Sequence, residues 1–492
     1  MIHHIFSACV DRKKWSKGVM KTTHPPSLTT EFSDVELKDK RLKKRLLTMV
    51  AAAEKSPGSS LPEQAGSSAA LEGAYRFVGN SRVSAEAVLA GHVRRTVERA
   101  SCHPCVHVIH DTTEFRFGGL KPREGLGRLG SQDSQGFFGH FTFCAAPSGE
   151  PLGALCLHAW RREEKIKGRR PQQESQSDPD RESLRRIDSA LLAGELLRGR
   201  TEAVHLMDRE GDSYELFAFL LEHEQRFVIR LSHDRRREGG RAAPKTAKLF
   251  EALSDAPYFF EREVMPAERG QGKKDGRKRS SFDRPKRSAR LEARAATEEI
   301  FIGNGASAHL PPSLRLNFVE VREPDPPEGE EPVVWRLVTT EPVSDKEQVA
   351  AVVDAYRRRW LIEEFFKALK TGCRYQEHQL ESGKALLVLL AVETAVAWQM
   401  LLLRWLARNS PEEPAERVLN QNRLHVLKAL LQKKKQAMPD IMTAEHALRA
   451  IAELGGHIKN NGPPGRLVLG RGFQRLFSLE QGWALAQEKQ QL

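Results

Sequence analysis

Two acidic residues, far apart in the sequence, each follow a short apolar run. Asp111 and Asp208 come at the ends of the predicted strands 106–109 and 203–207. Acids at the carboxyl ends of strands are common in α/β active sites, although many strands end in Asp without any catalytic role. Carboxylates from separate elements can hold two divalent cations about 3.5–4 Å apart, an arrangement suited to displacement at a phosphate. The two positions therefore indicate metal-dependent phosphoryl transfer as one possible chemistry.

A third acid lies in a predicted helix from about 346 to 370. Tyr356, Arg359, Glu363 and Lys370 follow one another at i, i+3, i+7 and i+14. At roughly 100° per residue these four side chains lie within about 60° on one helix face, whereas Glu364 is rotated away by about 100°. Glu363 is therefore the predicted metal ligand, between two cations that could hold phosphates. An ordinary solvated face with salt bridges would give the same pattern.

The charge of the chain indicates a polyanionic partner. Lys and Arg number 78 against 65 Asp and Glu, a formal net charge of +13 over 492 residues. Residues 269–294 hold eleven Lys and Arg and three Asp and Glu, a local excess of eight. Nucleic acid is the commonest polyanion that basic proteins meet. An exposed basic loop and a DNA contact are both compatible with this tract.

The elements around the acids alternate between strands and helices. Strands are predicted at 106–109, within 140–160, and at 203–207, 226–230 and 333–340, with helices at 182–198 and after Asp212. This alternation is typical of a layered α/β core. The rhythm breaks between about 232 and 332, where short β-type runs (300–302 and 314–321) predict a β-rich insertion.

Helical segments flank this core on both sides. Residues 33–100 include a basic helix, with Lys38, Lys40, Arg41, Lys43, Lys44 and Arg45, that is either a solvated surface or a phosphate-binding one. The residues after 370 are mainly helical. The long apolar run Ala385–Leu403 carries Glu393 and Gln399, which favours a buried bundle helix over a membrane span.

The cysteine content and the first residues of the chain indicate the cellular compartment. Six cysteines in 492 residues are too sparse for a disulfide framework, and the first residues lack the order of a signal peptide. We expect a cytoplasmic protein with no membrane association.

The spacing Tyr-x2-Arg-x3-Glu-x6-Lys resembles the signature of a family of bacterial insertion-sequence DDE transposases. Asp111-Thr-Thr and Met207-Asp-Arg-Glu-Gly-Asp212 resemble the first two catalytic motifs of that family. Residues 72–87 resemble its N-terminal DNA-binding segment, and 326–335 with 339–343 resemble the strand that leads to its third motif. The Gly455–Gly456 region resembles the start of its C-terminal helices, so the resemblance covers about residues 31–490.

The resemblance implies an α/β fold: an RNase H-like catalytic core with an inserted β-rich subdomain, flanked by N-terminal and C-terminal helical domains. The spacing of the three acids agrees with this fold. Asp208 follows Asp111 by 208 − 111 = 97 residues, and Glu363 follows Asp208 by 363 − 208 = 155 residues, which leaves room for an insertion in the second interval. The implied domains are a helical DNA-binding domain (31–100), the catalytic domain (101–375, with the insertion at about 232–332) and a C-terminal helical dimerisation domain (376–492). Residues 1–30 remain unassigned.

Roles for individual residues follow from the same resemblance. It implies Asp111, Asp208 and Glu363 as catalytic residues and as ligands of Mg²⁺, with Mn²⁺ as a substitute. It implies that Tyr356, Arg359 and Lys370 contact transposon-end phosphates and that Trp335 stacks in the pocket for a flipped base. Further DNA-binding candidates are Arg209, Arg230, Arg41 and Arg45.

The implied activity is cut-and-paste transposition through a DNA hairpin. The implied partners are double-stranded DNA, as transposon ends and as target, and a second copy of the chain in a synaptic dimer. Two other functions stay open from the sequence: a nuclease or resolvase on the same core without strand transfer, and a DNA-binding protein without catalysis.

Overall fold

A mixed β-sheet runs through the middle of the chain. The structure is a computed structural model that describes residues 27–119, 121–129, 134–161, 182–237, 248–264, 273–274, 277–278, 287–303, 309–433, 441–458 and 464–490. Its strands are β1 (Cys105–Phe117), β2 (Gly127–Arg128), β3 (Gln135–Ala145), β4 (Pro151–Trp160), β5 (Glu202–Met207), β6 (Arg226–Arg230), β7 (Tyr258–Val264), β8 (Lys273–Lys274), β9 (Arg277–Lys278), β10 (Ala289–Phe301), β11 (Ser313–Arg322) and β12 (Val334–Thr339).

The order of the strands in this sheet is β2-β3-β1-β5-β6-β12-β11-β10-β7, with β4 also paired to β3. β1, β5 and β6 are parallel, and the other pairs are antiparallel. These three strands lie centrally, and most residues of β5 and β6 are buried, as expected of strands covered on both faces. The predicted α/β class is confirmed.

Helices cover the sheet, and further helices precede its first strand and follow its last strand in the sequence. They are α1 (Leu28–Glu31), α2 (Lys40–Lys55), α3 (Leu61–Ala65), α4 (Ser68–Val78), α5 (Ala85–Ala100), α6 (Glu182–Leu197), α7 (Tyr214–Glu222), α8 (Leu249–Ser254), α9 (Lys346–Arg358), α10 (Leu361–Lys367), α11 (Gly383–Asn409), α12 (Gln421–Lys433), α13 (Ala444–Leu454) and α14 (Arg466–Gln490). Short helical turns lie at Arg209–Gly211, Tyr375–Glu377 and Ala415–Arg417, and Ala368–Gly372 forms a π-helical segment.

Several predicted elements are confirmed closely. The strand at 226–230 is β6, the strand at 203–207 is β5 with one more residue, and the helix at 182–198 is α6. The predicted strand at 106–109 is too short, since β1 continues to Phe117. The reason is its antiparallel pairing with β3, which extends to Phe117 opposite Gln135 and supplies hydrogen bonds to residues of β1 that are not uniformly apolar.

The strands of the predicted β-rich insertion lie in the same sheet as the core. β7, β10 and β11 pair in antiparallel fashion and join the central strands through β12. Within the basic tract, β8 and β9 pair with each other, and most of the residues between 265 and 286 lie outside the described residues.

The long apolar helix α11 is a core element. By length and composition it could cross a membrane, but 89% of its most apolar stretch is buried inside the structure. It packs against α5, β4 and α13. The predicted buried bundle helix is therefore found here.

The N-terminal helices are attached to the sheet through a buried ion pair. The Glu31 carboxylate accepts hydrogen bonds from Arg99 at 2.5 and 3.2 Å and contacts the His92 Nδ1 at 2.8 Å. The other His92 ring nitrogen accepts the Ala154 N–H of β4 at 3.1 Å. Although burial opposes ionisation, the Arg99 charge and the hydrogen bonds hold the pKa of Glu31 at about 2. The carboxylate is thus a permanent charge that joins α1, α5 and β4.

Candidate active site

Asp111 and Asp208 lie on neighbouring parallel strands. The register of β1 and β5 sets Ile109 opposite Leu206, and each Asp lies two residues further along its strand. Asp208 directly follows β5, as predicted. Asp111 is not at the end of a strand, which corrects the prediction, but it does lie just beyond the end of the parallel pairing. Because parallel strands are about 4.8 Å apart, the two carboxylates start from adjacent positions.

The predicted helix 346–370 is divided into three parts. α9 ends at Arg358, α10 begins at Leu361, and the π-helical segment follows Lys367. At the first division the N–H groups of Arg359 and Trp360 bond to carbonyls three residues back, at 3.0 and 3.3 Å, which tightens the turn. A constant rotation of about 100° per residue therefore does not hold from Tyr356 to Lys370.

Glu363 is nevertheless linked to Asp111, because Arg359 bonds to both carboxylates. One Nη of Arg359 donates to Asp111 at 3.2 Å and the other to Glu363 at 2.8 Å. The Arg359 side chain is only 12% exposed. Glu364 points elsewhere, toward Arg404 and Lys367, as predicted from its rotation.

The electrostatic environment of Asp111 is that of a crowded acidic site. Its pKa is raised to about 7, chiefly by burial and also by the charges of Asp208 and Glu363, while Arg359 and the N–H of Thr112 act in the opposite direction. That N–H lies 2.8 Å from the carboxylate. For Arg359, burial would lower the pKa, but Tyr356, Asp111 and Glu363 outweigh it and raise the pKa. A cation therefore reduces the repulsion between these acids.

Lys370 lies on the same side of β1 as Asp111. Its Nζ donates to the Thr113 hydroxyl at 2.6 Å and lies 5.6 Å from the centre of the Phe115 ring. Burial lowers the pKa of Lys370, partly opposed by Glu114 and Asp111. Thr113 was recognised in the sequence only as part of a motif, and the structure shows that it holds the lysine.

Arg230, a further predicted DNA contact, lies within electrostatic reach of Arg359 and of Arg209, which is also a predicted DNA contact. Burial, Arg209 and Arg359 lower the pKa of Arg230, while Tyr356 raises it. Arg230 donates to the Val334 carbonyl at 3.0 Å, and Arg209 is exposed. The charges of Arg209, Arg230 and Arg359 thus act together, and such a group of guanidinium charges attracts phosphate.

Trp335 and Tyr356 are in contact with each other. Their ring centres are 5.8 Å apart at an interplanar angle of 65°. Tyr356 is only 6% exposed, whereas Trp335 is partly buried. Of the two aromatic residues, Trp335 is therefore the more accessible to a ligand.

The remaining predicted contacts, Arg41 and Arg45, lie on α2, away from the acids in sequence. Arg41 is 92% exposed and pairs with Asp39, whose side chain caps the helix by accepting the Arg41 N–H at 2.8 Å. The guanidinium of Arg45 lies over Gly73 of α4. Any larger residue at position 73 would displace Arg45.

Asp212, which the sequence analysis names only as the last residue of the second motif, has a structural role after β5. It is buried, and one carboxylate oxygen accepts the backbone N–H groups of Ser232 and His233 at 2.5 and 2.7 Å. It also pairs with Arg235 at 2.5 Å. Asp212 therefore fixes the chain after β6 to the turn that follows Asp208. Its position four residues after Asp208 was the available signal.

The side chains at this site are suitable ligands for a divalent cation, but in this structure they are not grouped around one ion position. Three carboxylates, from β1, the end of β5 and α10, offer the oxygen ligands that Mg²⁺ prefers. In the part of the chain that the structure describes, however, no three acidic, histidine or cysteine side chains are grouped closely enough to hold one ion. Arg359 lies between two of the three carboxylates.

Comparison with known proteins identifies two domains in the chain. Residues 26–83 match the family model described as transposase DNA-binding, and residues 180–397 match the one described as transposase DDE domain. The second match includes Asp208 and Glu363 and begins after Asp111. A DDE domain implies an RNase H-like fold and the general use of divalent metal ions.

One solved structure is also similar, the cryo-EM structure of the piggyBac transposase synaptic complex with hairpin DNA. The sequences are 12% identical, the TM-score is 0.32, and the match covers 89% of this chain and 75% of that chain. A TM-score this low does not establish a shared fold, so no property of that complex is transferred to this chain.

Proposed function

Because the chain is a DNA transposase with a DNA-binding domain and a DDE domain, we propose that Asp111, Asp208 and Glu363 are its catalytic carboxylates. One observation carries this assignment. Arg359 contacts Asp111, 248 residues away in the sequence, and Glu363 at the same time, while Asp208 directly follows β5, the strand that pairs in parallel with β1. The proposed acids thus come from three separate elements and converge.

The three carboxylates would hold Mg²⁺, or Mn²⁺ as a substitute. When bound, such ions activate the attacking oxygen and stabilise the leaving oxygen of an in-line displacement at phosphorus. The rest of the machinery belongs to the chain itself. Arg209, Arg230, Arg359 and Lys370 would bind the phosphates of the transposon end, and Thr113 would orient Lys370.

Trp335 would stack against a base that is flipped out of the DNA duplex, and Tyr356 would support the indole from one side. Ring-to-ring contact at 5.8 Å limits the movement of the indole, which suits a stacking platform. Tyr356 itself is buried, so its contact with a phosphate requires a shift of Trp335 or of the chain around it.

The reaction would be cut-and-paste transposition in four displacements at one site. Water first nicks the transposon end, and the freed 3′-OH then attacks the opposite strand to close a hairpin. A second water opens the hairpin, and the 3′-OH finally joins target DNA. Every step replaces one oxygen by another at phosphorus, so one set of residues serves all four.

The finer assignment is to the bacterial insertion-sequence transposases with the Tyr-Arg-Glu-Lys signature. In this proposal residues 232–332 are an insertion in the RNase H-like core, and 376–492 pair two copies in a cytoplasmic synaptic complex. Half-exposed Leu479 and Trp483 on α14 support an interface there. Arg41 and Arg45 of the N-terminal domain would bind the terminal repeat.

A pair of adjacent glutamates provides the test. Glu363→Gln should reduce cleavage of a duplex bearing the terminal sequence that borders the gene by more than about 100-fold, since loss of a metal ligand costs at least as much as loss of its support. Glu364→Gln, which faces Arg404 instead, should cleave normally. Asp208→Asn should behave like Glu363→Gln.

Equal cleavage by the Glu363 and Glu364 variants would refute the assignment of the acids. Hydrolysed ends without joined products would indicate a nuclease, and metal-independent binding without cleavage would indicate a DNA-binding protein.

A further inference from the structure

The guanidinium of Arg359 occupies the space between two of the proposed metal ligands. Its two terminal nitrogens reach one oxygen of Asp111 at 3.2 Å and one of Glu363 at 2.8 Å. The side chains of Asp111 and Glu363 are 16% and 28% exposed. Both carboxylates are therefore largely removed from water and use Arg359 as their cationic partner.

This contact competes with a metal ion. An Mg²⁺ ion needs its oxygen ligands at about 2.0–2.1 Å, and a carboxylate oxygen that already accepts from a guanidinium has less electron density to offer. An ion that bridges Asp111 and Glu363 would also carry two positive charges into contact with Arg359. The arginine must therefore move before the acids can share an ion.

We propose that Arg359 is a placeholder that keeps Asp111 and Glu363 together and restrains metal binding until a DNA phosphate draws it away. This inference rests on the proposed function of the three acids. It gives Arg359 two alternative partners, the carboxylates in the protein alone and a phosphate in the DNA complex.

The surroundings of Arg359 favour such an exchange. A guanidinium binds a phosphate with two parallel hydrogen bonds, just as it binds a carboxylate. The charges of Arg209 and Arg359 both act on Arg230, so a phosphate that approaches the site meets a positive field. Arg359 itself lies between the last residue of α9 and the first of α10, so in this proposal its side chain turns toward the phosphate while both helices stay folded.

The consequence is reciprocal coupling between metal and DNA. If DNA releases Arg359 and so raises the affinity for metal, bound metal must raise the affinity for DNA by the same factor. A transposase built in this way acquires its metal mainly where DNA is present, which limits cleavage by the free protein.

Mn²⁺ binding to the full-length, DNA-free protein tests the proposal without any reaction. Free Mn²⁺ is measured by its electron paramagnetic resonance signal during titration of the wild type and of Arg359→Gln. We expect the variant to bind Mn²⁺ about 10- to 100-fold more tightly, in the range of typical coupling between sites. Arg359→Lys, which can reach only one carboxylate at a time, should lie between the two.

Two matched variants separate displacement of a contact from a general change in charge. Arg357→Gln removes a charge two residues away that pairs with Asp354, and Lys370→Gln removes a partly buried charge that acts on Asp111 but bonds to Thr113. Both should change Mn²⁺ affinity much less than Arg359→Gln. Equal effects from all three would overturn the placeholder role.

Different results would contradict the metal site and the placeholder role of Arg359. If Mn²⁺ binding is abolished by Asp208→Asn but Arg359→Gln binds like the wild type, the acids are ligands and the placeholder is wrong. If Asp208→Asn removes no Mn²⁺ binding from Arg359→Gln, the proposed metal site itself is wrong. A poorly folded Arg359→Gln would be recognised by circular dichroism, and Arg359→Lys would then decide the question.

Discussion

At the residue scale, the site depends on a few hydrogen bonds that the sequence could not specify. Lys370 was predicted to share a helix face with Glu363, and the structure instead fixes it through Thr113 of β1. The orientation of Glu364 away from the site follows from rotation about one short helix, which is why that prediction is confirmed. Periodicity predicts faces over a few residues, whereas contacts between distant elements depend on the fold.

The Thr113 hydroxyl gives the first prediction at this scale. Thr113→Val removes the acceptor of the Lys370 ammonium, a bond to a charged group that typically contributes about 1.5–3 kcal/mol. We expect a roughly tenfold slower single-turnover cleavage of a terminal-repeat duplex, and near-normal cleavage by Thr113→Ser. If the Val and Ser variants react at the same rate, Thr113 does not position Lys370.

At the element scale, the helix α11 carries a buried acid that the reaction does not use. Glu393 is completely buried, and within the described part of the chain neither of its carboxylate oxygens has a hydrogen-bond partner of normal geometry. Burial raises its pKa to about 7, against the opposing effect of Cys373 and Gln64. Burial also lowers the pKa of nearby His378 to about 4 and keeps the pKa of Tyr375 high, so Glu393 is the member of this cluster that titrates near neutrality.

This acid should make stability depend on pH. Its folded pKa of about 7 lies above the ordinary value of 4.5, so the stabilising proton is fully bound below pH 4.5 and is lost as the pH rises through 7. Between pH 4.5 and pH 7 each pH unit should cost about 1.4 kcal/mol, and above pH 7 the loss levels off because both states are then ionised. The thermal midpoint of the wild type should therefore fall between pH 5 and pH 7.5 more than that of Glu393→Gln. Parallel pH profiles would show that Glu393 is already ionised in the folded protein.

The division of the predicted helix 346–370 is another finding at the element scale. Nothing in its composition marks the break, because residues 346–370 contain neither Pro nor Gly. Arg359 and Trp360 also keep helical torsion angles. The length of β1 was likewise hidden, since its second half is stabilised by pairing with β3 and not by a continuous apolar run. Parallel strands such as β6 were predicted well because their central residues form a short run of buried apolar side chains.

At the scale of the whole molecule, the N-terminal helices and the sheet are joined through the Glu31 cluster. Both Glu31 and His92 are fully buried at their side chains, and Arg99 stacks over Trp398 of α11 at 4.0 Å. The domain matched as DNA-binding thus has a charged, desolvated attachment to the sheet that carries Asp111. Composition and charge predicted DNA binding, but only the fold shows this attachment.

Removal of Glu31 should loosen the N-terminal helices. Glu31→Ala leaves Arg99 and His92 without their acceptor, and breaking a buried ion pair from one side typically costs about 3–5 kcal/mol. We expect a lower thermal midpoint and faster proteolytic cleavage between α5 and β1. Glu98→Ala, which disrupts only a partly exposed pair with Arg95, is the control. If the Glu31 variant resists proteolysis as well as this control, Glu31 does not hold the N-terminal helices on the sheet.

The central claim is that Asp111, Asp208 and Glu363 together hold divalent metal against DNA. A crystal of the protein with a terminal-repeat duplex and Mn²⁺, using Asp208→Glu or a non-cleavable phosphate if needed, would locate the ion by anomalous scattering. We predict a peak within about 2.2 Å of oxygens from the three positions, with Arg359 turned from the carboxylates to a DNA phosphate. A DNA complex with Mn²⁺ bound elsewhere, and Arg359 still between Asp111 and Glu363, would contradict it.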